Sequence, residues 1–238
     1  MCTRTRNGWG WAWASSPHLA DLDPATGWAL MLGLLILAGG QSSRMGKEKP
    51  GLPFPDPSDP PLICRVAAGV AEIAGPPTIA GSDDYGTGWP LVKDEESLSG
   101  PVAGLIAGLA QNSRDLVLVL AADLPFPSPL LADGLAEIAR REPTAQAVVP
   151  ERAGQLEPLF AIYRRDAAPD LRAMARQLIR PGKGPSLRRV VAGVRLRRVA
   201  ESDWRLWDAE GISFFNCNTP GELALAAARV RRELGGDR

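Results

Sequence analysis

The residues with the clearest chemical potential form one run, Leu37-Ala38-Gly39-Gly40-Gln41-Ser42-Ser43-Arg44-Met45-Gly46, with Lys49 three positions on. Glycines let backbone N–H groups approach an anion with no Cβ in the way. Ser42 and Ser43 add hydroxyl donors, Arg44 can grip phosphate oxygens in bidentate fashion, and Lys49 adds a second positive charge. The run has what a triphosphate needs, although a glycine-rich turn with solvated charges has the same composition. It lacks the GxxxxGK[ST] spacing of a P-loop and the GxGxxG of a dinucleotide fingerprint.

Carboxylates supply the second element. Asp123 closes the apolar stretch Leu116–Ala121 and precedes Leu124-Pro125. A carboxylate at the exit of a buried strand is held rigidly at the ligand face, and Mg²⁺ takes few carboxylates alongside phosphate and water oxygens. Asp123 is therefore the expected metal ligand; a turn or N-cap aspartate is the plainer alternative. Asp94 lies in an acidic stretch with Glu95 and Glu96, ahead of Gly100-Pro101. The stretch reads either as part of a site or as solvated surface.

Composition limits the chemistry further. The only histidine is His18, so Ser-His-Asp or Cys-His catalysis and histidine-ligated metals are not expected. Cys2, Cys64 and Cys217 are odd in number and far apart, which fits reduced thiols in a cytoplasmic protein. No apolar run reaches the length of a membrane span. With 27 basic and 27 acidic residues, no global field favours nucleic acid or membrane. Residues 151–200 nevertheless hold twelve Lys/Arg against four Asp/Glu, a solvated basic surface or a landing site for an anion.

Strands and helices must alternate to hold these groups. Gly33–Ala38 and Leu116–Ala121 are continuous apolar runs, as in strands buried on both faces. Short strands are expected at Thr78–Ala80, Leu91–Val92, Ala145–Val149, Pro158–Tyr163, Arg195–Val199 and Ile212–Phe215. Helices are expected at Leu62–Ala74, Pro101–Gln111, Ser128–Arg141, Ala167–Ile179 and Ser186–Ala192, and from Thr219 to about Leu234. Pro101 opens one helix, Ser128 caps another, and Thr219 with Glu222 forms a capping box. Pro50–Pro61, with six prolines, must be extended or turned. The alternation implies an α/β three-layer sandwich with a mostly parallel central sheet, its ligands bound beyond the carboxyl ends of the strands. Residues 32–238 read as a single domain. Residues 1–31, with four of the seven tryptophans, read as a disordered extension or a start assigned too early, with Met31 just before the first strong strand.

The run LAGGQSSRMGKEK resembles the signature LAGGxSxRMGxDK of the molybdenum cofactor guanylyltransferase family, with Glu48 where aspartate is usual. Ala122-Asp123-Leu124-Pro125 is similar to its ADxP segment, and Asp94 through Gly100-Pro101-Val102-Ala103-Gly104 to its D…GPLAG segment, with Val102 for leucine. Pro158-Leu159-Phe160-Ala161-Ile162-Tyr163 resembles PLFALY, and Phe214–Leu223 resembles FxNxNTPE[DE]L. The resemblance covers roughly residues 32–236.

The resemblance implies a Rossmann-like fold of the glycosyltransferase-A type and a Mg²⁺-dependent transfer of GMP from GTP to the phosphate of molybdenum–molybdopterin. Nucleotide contacts would come from Leu37, Ala38, Gly39, Gly40, Lys49, Asp94 and Asp123. Lys49, Arg44 and Asp123 would be catalytic, with Asp123 on the metal. Gly100, Asn216 and Asn218 would be substrate contacts. The two asparagines are expected to face different ways, one reaching metal or substrate and the other bracing a loop. Arg180, Lys183, Arg188 and Arg189 are candidate neighbours of the acceptor phosphate. No nucleic-acid or membrane partner is implied; transient contacts with cofactor-biosynthesis or molybdoenzyme-maturation proteins are admitted. Cytidylyl transfer to the same pterin, a sugar-phosphate nucleotidyltransferase, and a non-catalytic nucleotide-binding module are the alternatives, and the LAGG form leans toward guanine.

Overall fold

Leu34 and Ile36 pack into one apolar cluster and Leu35 and Leu37 into another, because successive strand residues point to opposite faces of a sheet. Leu118 and Leu120 alternate with Val117 and Val119 in the same way. Each such side chain contributes about 1.5–3 kcal/mol by leaving water. Two-sided burial makes these segments the centre of the sheet and leaves polar chemistry to their ends. The computed structural model describes residues 2–5, 8–11, 32–39, 49–95, 98–179 and 184–235.

The main sheet contains β3 (Leu32–Leu37), β4 (Ala74–Ala80), β5 (Leu91–Val92), β6 (Leu116–Ala121), β7 (Ala147–Arg152), β8 (Gln155–Leu156), β9 (Phe160–Arg164) and β10 (Leu196–Val199). Its order is β10-β7-β9-β6-β3-β4-β5, with β8 pairing β7. The run β6-β3-β4-β5 is parallel, as is β7 with β10, while β9 runs antiparallel to both β6 and β7. The expected mostly parallel α/β sheet is present. A separate antiparallel ribbon pairs β1 (Cys2–Thr5) with β2 (Gly8–Trp11). The rest of residues 1–31 lies outside the described residues.

Helices cover both faces: α1 (Leu62–Ala68), α2 (Pro101–Gln111), α3 (Pro129–Arg141), α4 (Ala168–Leu178), α5 (Leu187–Ala192), α6 (Glu201–Trp204) and α7 (Pro220–Gly235). α1 and α3 contribute to the cluster on one face, and α2, α4 and α5 to the other. The Ser128 hydroxyl accepts from the Leu131 N–H at 3.2 Å, as expected of an N-cap. The capping box of α7 forms: the Thr219 N–H donates to Glu222 at 2.7 Å and the Glu222 N–H to the Thr219 hydroxyl at 3.2 Å.

Three expectations need correction. The helix expected over Leu62–Ala74 ends at Ala68; Gly69 follows, and the N–H groups of Val70, Ala71 and Ile73 bond three residues back in tight turns. The strand expected at Thr78–Ala80 begins at Ala74 despite Pro76 and Pro77. A register shift between Leu32 and Leu34 of β3 accommodates these residues, which have no N–H to donate. The strand expected at Ile212–Phe215 is a 3-10 turn, Ile212–Phe214. Gly211 reverses the chain at φ +66°, and the Asp208 carboxylate accepts from the N–H groups of Ile212 and Ser213 at 3.1 and 2.9 Å. Those local bonds displace a sheet ladder.

Candidate active site

β3 and β6 lie side by side and parallel, so their carboxyl ends deliver Leu37–Gly39 and Asp123 to one edge of the sheet. The Ala122 N–H donates to the Leu37 carbonyl at 3.1 Å, tying the two exits together. A cavity of about 280 Å³ opens there; its walls include Ala38, Gly39, Lys49, Asp123, Asn216 and Asn218. Leu37, also expected on sequence grounds, lines it too. Gly40 and Arg44 lie outside the described residues.

Asp123 is half-buried in this floor. Desolvation pushes its carboxyl above the usual range, opposed by a backbone hydrogen bond, by the Lys49 charge and by a hydrogen bond from the Asn216 side chain. With its amide committed to Asp123, Asn216 leaves Oδ1 buried with no hydrogen-bond partner. A buried acceptor in that state calls for a ligand, since leaving it unpaired costs free energy. The Lys49 ammonium donates to the Asn218 carbonyl, holding the far end of the glycine run against the late asparagine segment. The Cys217 N–H donates to the Asp123 carbonyl at 3.0 Å. The Cys217 thiol is buried and pushed up to about 12, first by desolvation and then by Asp123, so it is no nucleophile.

Mg²⁺ fits this corner. Asp123 offers the one carboxylate that a triphosphate-bound Mg²⁺ requires, and Asn216 Oδ1 offers a neutral oxygen. Among the described residues no three His, Cys, Asp or Glu side chains converge, so phosphate and water oxygens would complete the shell.

Asp94 stands to one side. The residue is exposed overall, but its carboxyl oxygens are tucked against glycine backbone, and this desolvation raises its pKa. A Cβ on Gly39 would lie 3.4 Å from Asp94 Oδ2, and a Cβ on Gly104 3.1 Å from Oδ1. Gly100 caps α2 at φ +71°, and it is Pro101 that lines the cavity. Asn216 and Asn218 both line the same walls. Residues two apart in an extended stretch share a face. They differ in the group each uses, the side chain for Asn216 and the backbone carbonyl for Asn218.

A second chamber, about 480 Å³, adjoins the first and shares Pro101, Ala121, Leu159, Asn216 and Asn218 with it. Arg152, Glu157 and Arg188 give it charge. Glu157 sits between the two guanidiniums, 3.0 Å from Arg152 and 3.9 Å from Arg188. Arg152 also lies over the Phe214 ring, 5.6 Å from its centroid. Of the four basic residues expected near an acceptor, Arg188 lines this chamber, Arg189 is not among its lining residues, and Arg180 and Lys183 lie outside the described residues. Arg152 and Glu157 were not anticipated. Ala153-Gly154, at φ +48° and +74°, turns β7 into β8 between them, and that short hairpin was the available signal.

Residues 34–199 match the model of the MobA-like NTP transferase domain. The chain is 32% identical over 209 residues to a protein of Chloroflexus aggregans named "Probable molybdenum cofactor guanylyltransferase", covering 84% of this chain and 95% of that one. It is 30% identical over 201 residues to the molybdenum cofactor guanylyltransferase of Desulfosudis oleivorans, covering 83% and 95%. The crystal structure of molybdopterin-guanine dinucleotide biosynthesis protein A from Archaeoglobus fulgidus shares the fold, with a TM-score of 0.68 at 24% identity over 84% of this chain and all of that one. Strand exits, glycine run and late asparagines thus converge with sequence likeness over most of the chain, which belongs to the MobA-like NTP transferase family of nucleotidyltransferases.

Proposed function

We propose that this nucleotidyltransferase moves GMP from GTP to the terminal phosphate of molybdenum–molybdopterin, forming the guanine dinucleotide and releasing pyrophosphate. The observation that supports this most is the pair of adjoining chambers, one floored by Asp123 and the other flanked by Arg152 and Arg188. A nucleoside triphosphate in the first and an anionic acceptor in the second would meet at the shared wall of Leu159, Asn216 and Asn218.

In the proposed reaction an acceptor phosphate oxygen attacks the α-phosphorus of GTP. A new P–O bond forms, the bond from the α-phosphorus to the bridging oxygen breaks, and pyrophosphate leaves with the electron pair. The nucleophile is already ionised, so no general base is needed. Positioning and charge neutralisation then carry the catalysis. The backbone of Ala38 and Gly39, with Lys49 and Arg44, holds the triphosphate. Asp123, oriented by Asn216, would hold Mg²⁺, whose contribution when bound would be to neutralise phosphate charge. Asp94 helps position the nucleotide, and Gly100 places Pro101 at the chamber wall.

Much of the basic segment is spent on ion pairs such as Arg172–Glu95 and Arg198–Glu151, whereas Arg152 and Arg188 share the single carboxylate of Glu157 and line the second chamber, where they would face the acceptor. Among the described residues no helix is long and apolar enough to cross a membrane. Cys217 is a buried free thiol, and Cys64 is buried as well. A buried thiol of this kind fits a reducing compartment such as the cytoplasm, which is the setting of the proposed reaction.

Incubation of the protein with Mg²⁺, molybdenum-loaded molybdopterin and each of GTP, CTP, ATP and UTP, with mass analysis of the product, tests this reading. The guanine dinucleotide is the expected product. A strong preference for CTP would assign the cytidylyl reaction instead.

A further inference from the structure

Tyr85 lies outside the motifs read from the sequence, yet it meets the chain on either side of the glycine run. Its hydroxyl donates to the Ala38 carbonyl at 3.3 Å, where the run begins. Its ring covers Gly51, two residues past Lys49; a Cβ on Gly51 would stand 2.9 Å from Tyr85 Cδ1. We propose that Tyr85 is a positioning residue for the triphosphate-binding backbone, aligning the Ala38–Gly39 peptide with the Lys49 segment. This rests on the proposed role of that backbone in holding a nucleoside triphosphate.

Peptide geometry explains how the contact acts. In a trans peptide the carbonyl and the following N–H point in opposite directions. Fixing the Ala38 oxygen on Tyr85 therefore fixes the direction of the Gly39 N–H. Gly81 backs the same peptide: a Cβ there would meet the Ala38 carbonyl carbon and the Gly39 nitrogen at 3.4 Å. An oxygen–oxygen distance of 3.3 Å is long for a hydroxyl bond, so the contact orients more than it stabilises.

The backbone around Tyr85 is arranged to hold that side chain in place. Tyr85 adopts φ +54°, a left-handed conformation that bulky residues rarely take. Neighbouring carboxylates hold the turn: the Tyr85 N–H donates to Asp83 at 2.6 Å, and the N–H groups of Gly86 and Gly88 donate to Asp84 at 3.0 and 3.1 Å. The Thr87 hydroxyl donates to the Asp84 carbonyl at 2.7 Å. Glycine would suit this φ better, so the turn alone does not call for tyrosine. Strain of this kind collects where a site requires a particular side chain.

The test compares wild type with Tyr85→Phe and Tyr85→Gly. Equilibrium binding of Mg²⁺ with each of GTP, CTP, ATP and UTP is measured, together with KM, kcat and the melting midpoint. For the preferred nucleotide, Tyr85→Phe should raise Kd and KM by about five-fold, with kcat and melting midpoint unchanged. Tyr85→Gly keeps the backbone at ease while removing ring and hydroxyl. The lost ring packs against the core, so the melting midpoint should fall, while Kd and KM should rise by about tenfold or more. The acceptor KM should not move in either variant. Wild-type nucleotide affinity in both variants overturns the proposal, as does a loss of affinity in Tyr85→Phe that comes with a fall in its melting midpoint. If wild type prefers a base other than guanine, the base assignment fails and the Tyr85 comparison is made with that nucleotide. A wild-type chain that binds no nucleoside triphosphate overturns both readings.

Discussion

Asn216 gives its side-chain amide to Asp123 and keeps a buried Oδ1 with no partner of its own. The pair thus presents one anionic and one neutral oxygen donor at the exit of β6. Asn216→Ala removes the neutral oxygen and the bond that opposes the raised pKa of Asp123. Turnover should fall by about 10- to 100-fold, the usual consequence of losing a hydrogen bond to a charged group. The Mg²⁺ concentration for half-maximal rate should rise. Initial rates across a Mg²⁺ titration check both; an unchanged Mg²⁺ dependence would remove Asn216 from the metal's surroundings.

Burial of Asp123 exchanges stability for function. Its folded-state pKa lies above the unfolded value of about 3.9, so its contribution to stability is present below that value and is lost as pH rises through the folded-state pKa. Asp123→Asn does not titrate. In metal-free buffer its melting midpoint should gain on wild type as pH rises through the folded-state pKa, then stay ahead at neutral pH. Adding Mg²⁺ with a non-hydrolysable nucleotide should raise the midpoint of wild type alone. Thermal melts between pH 3 and pH 8, with and without metal, follow this directly.

The fold was legible because its two central strands are apolar without interruption, and because caps such as Ser128 and Thr219 act through bonds between neighbours in sequence. The direction of β9 was not legible. An antiparallel strand buried on both faces has the same apolar composition as a parallel one, and only its pairing with β6 and β7 tells them apart. That Asp123, Lys49 and the late asparagines gather at one cavity agrees with the motifs that the family resemblance pointed to. Tyr85, Arg152 and Glu157 were not legible, because what assigns them is proximity across the fold: Tyr85 to Ala38, 47 residues apart, and Glu157 to Arg188.

Asp94 is wedged between two glycines, which makes Gly104 a sensitive position. Gly104→Ala improves helix propensity by about 1 kcal/mol. Its Cβ would stand 3.1 Å from both Asp94 Oδ1 and the Ala80 side chain, so Asp94 must give way toward Gly39. The Ala80 Cβ is fixed to a core strand and cannot turn aside, so overpacking should offset the propensity gain and lower the melting midpoint, while the nucleotide KM increases about five-fold, an effect of the size of one hydrogen bond. Equal KM values in the two proteins would show that Asp94 has no contact with the nucleotide.

The charged side chains of the second chamber should affect the acceptor and leave the nucleotide alone. Arg188→Ala and Arg152→Ala should each raise the acceptor KM by about tenfold, the size of one charge-assisted hydrogen bond, with the GTP KM unchanged. Glu157→Gln removes the carboxylate that occupies both guanidiniums, and it should lower the acceptor KM or leave it as it is. Steady-state kinetics with each substrate varied in turn separates these effects. A change confined to the GTP KM would reverse the assignment of the two chambers.

The central claim is that transfer runs through a metal held at Asp123. Pyrophosphate release, followed with GTP, the pterin acceptor and controlled Mg²⁺ in wild type and Asp123→Ala, tests it most directly. The account predicts Mg²⁺-dependent release in wild type, abolished in a variant that still melts cooperatively. Release in Asp123→Ala at the wild-type rate, or release in either protein that persists after Mg²⁺ is chelated, would contradict it.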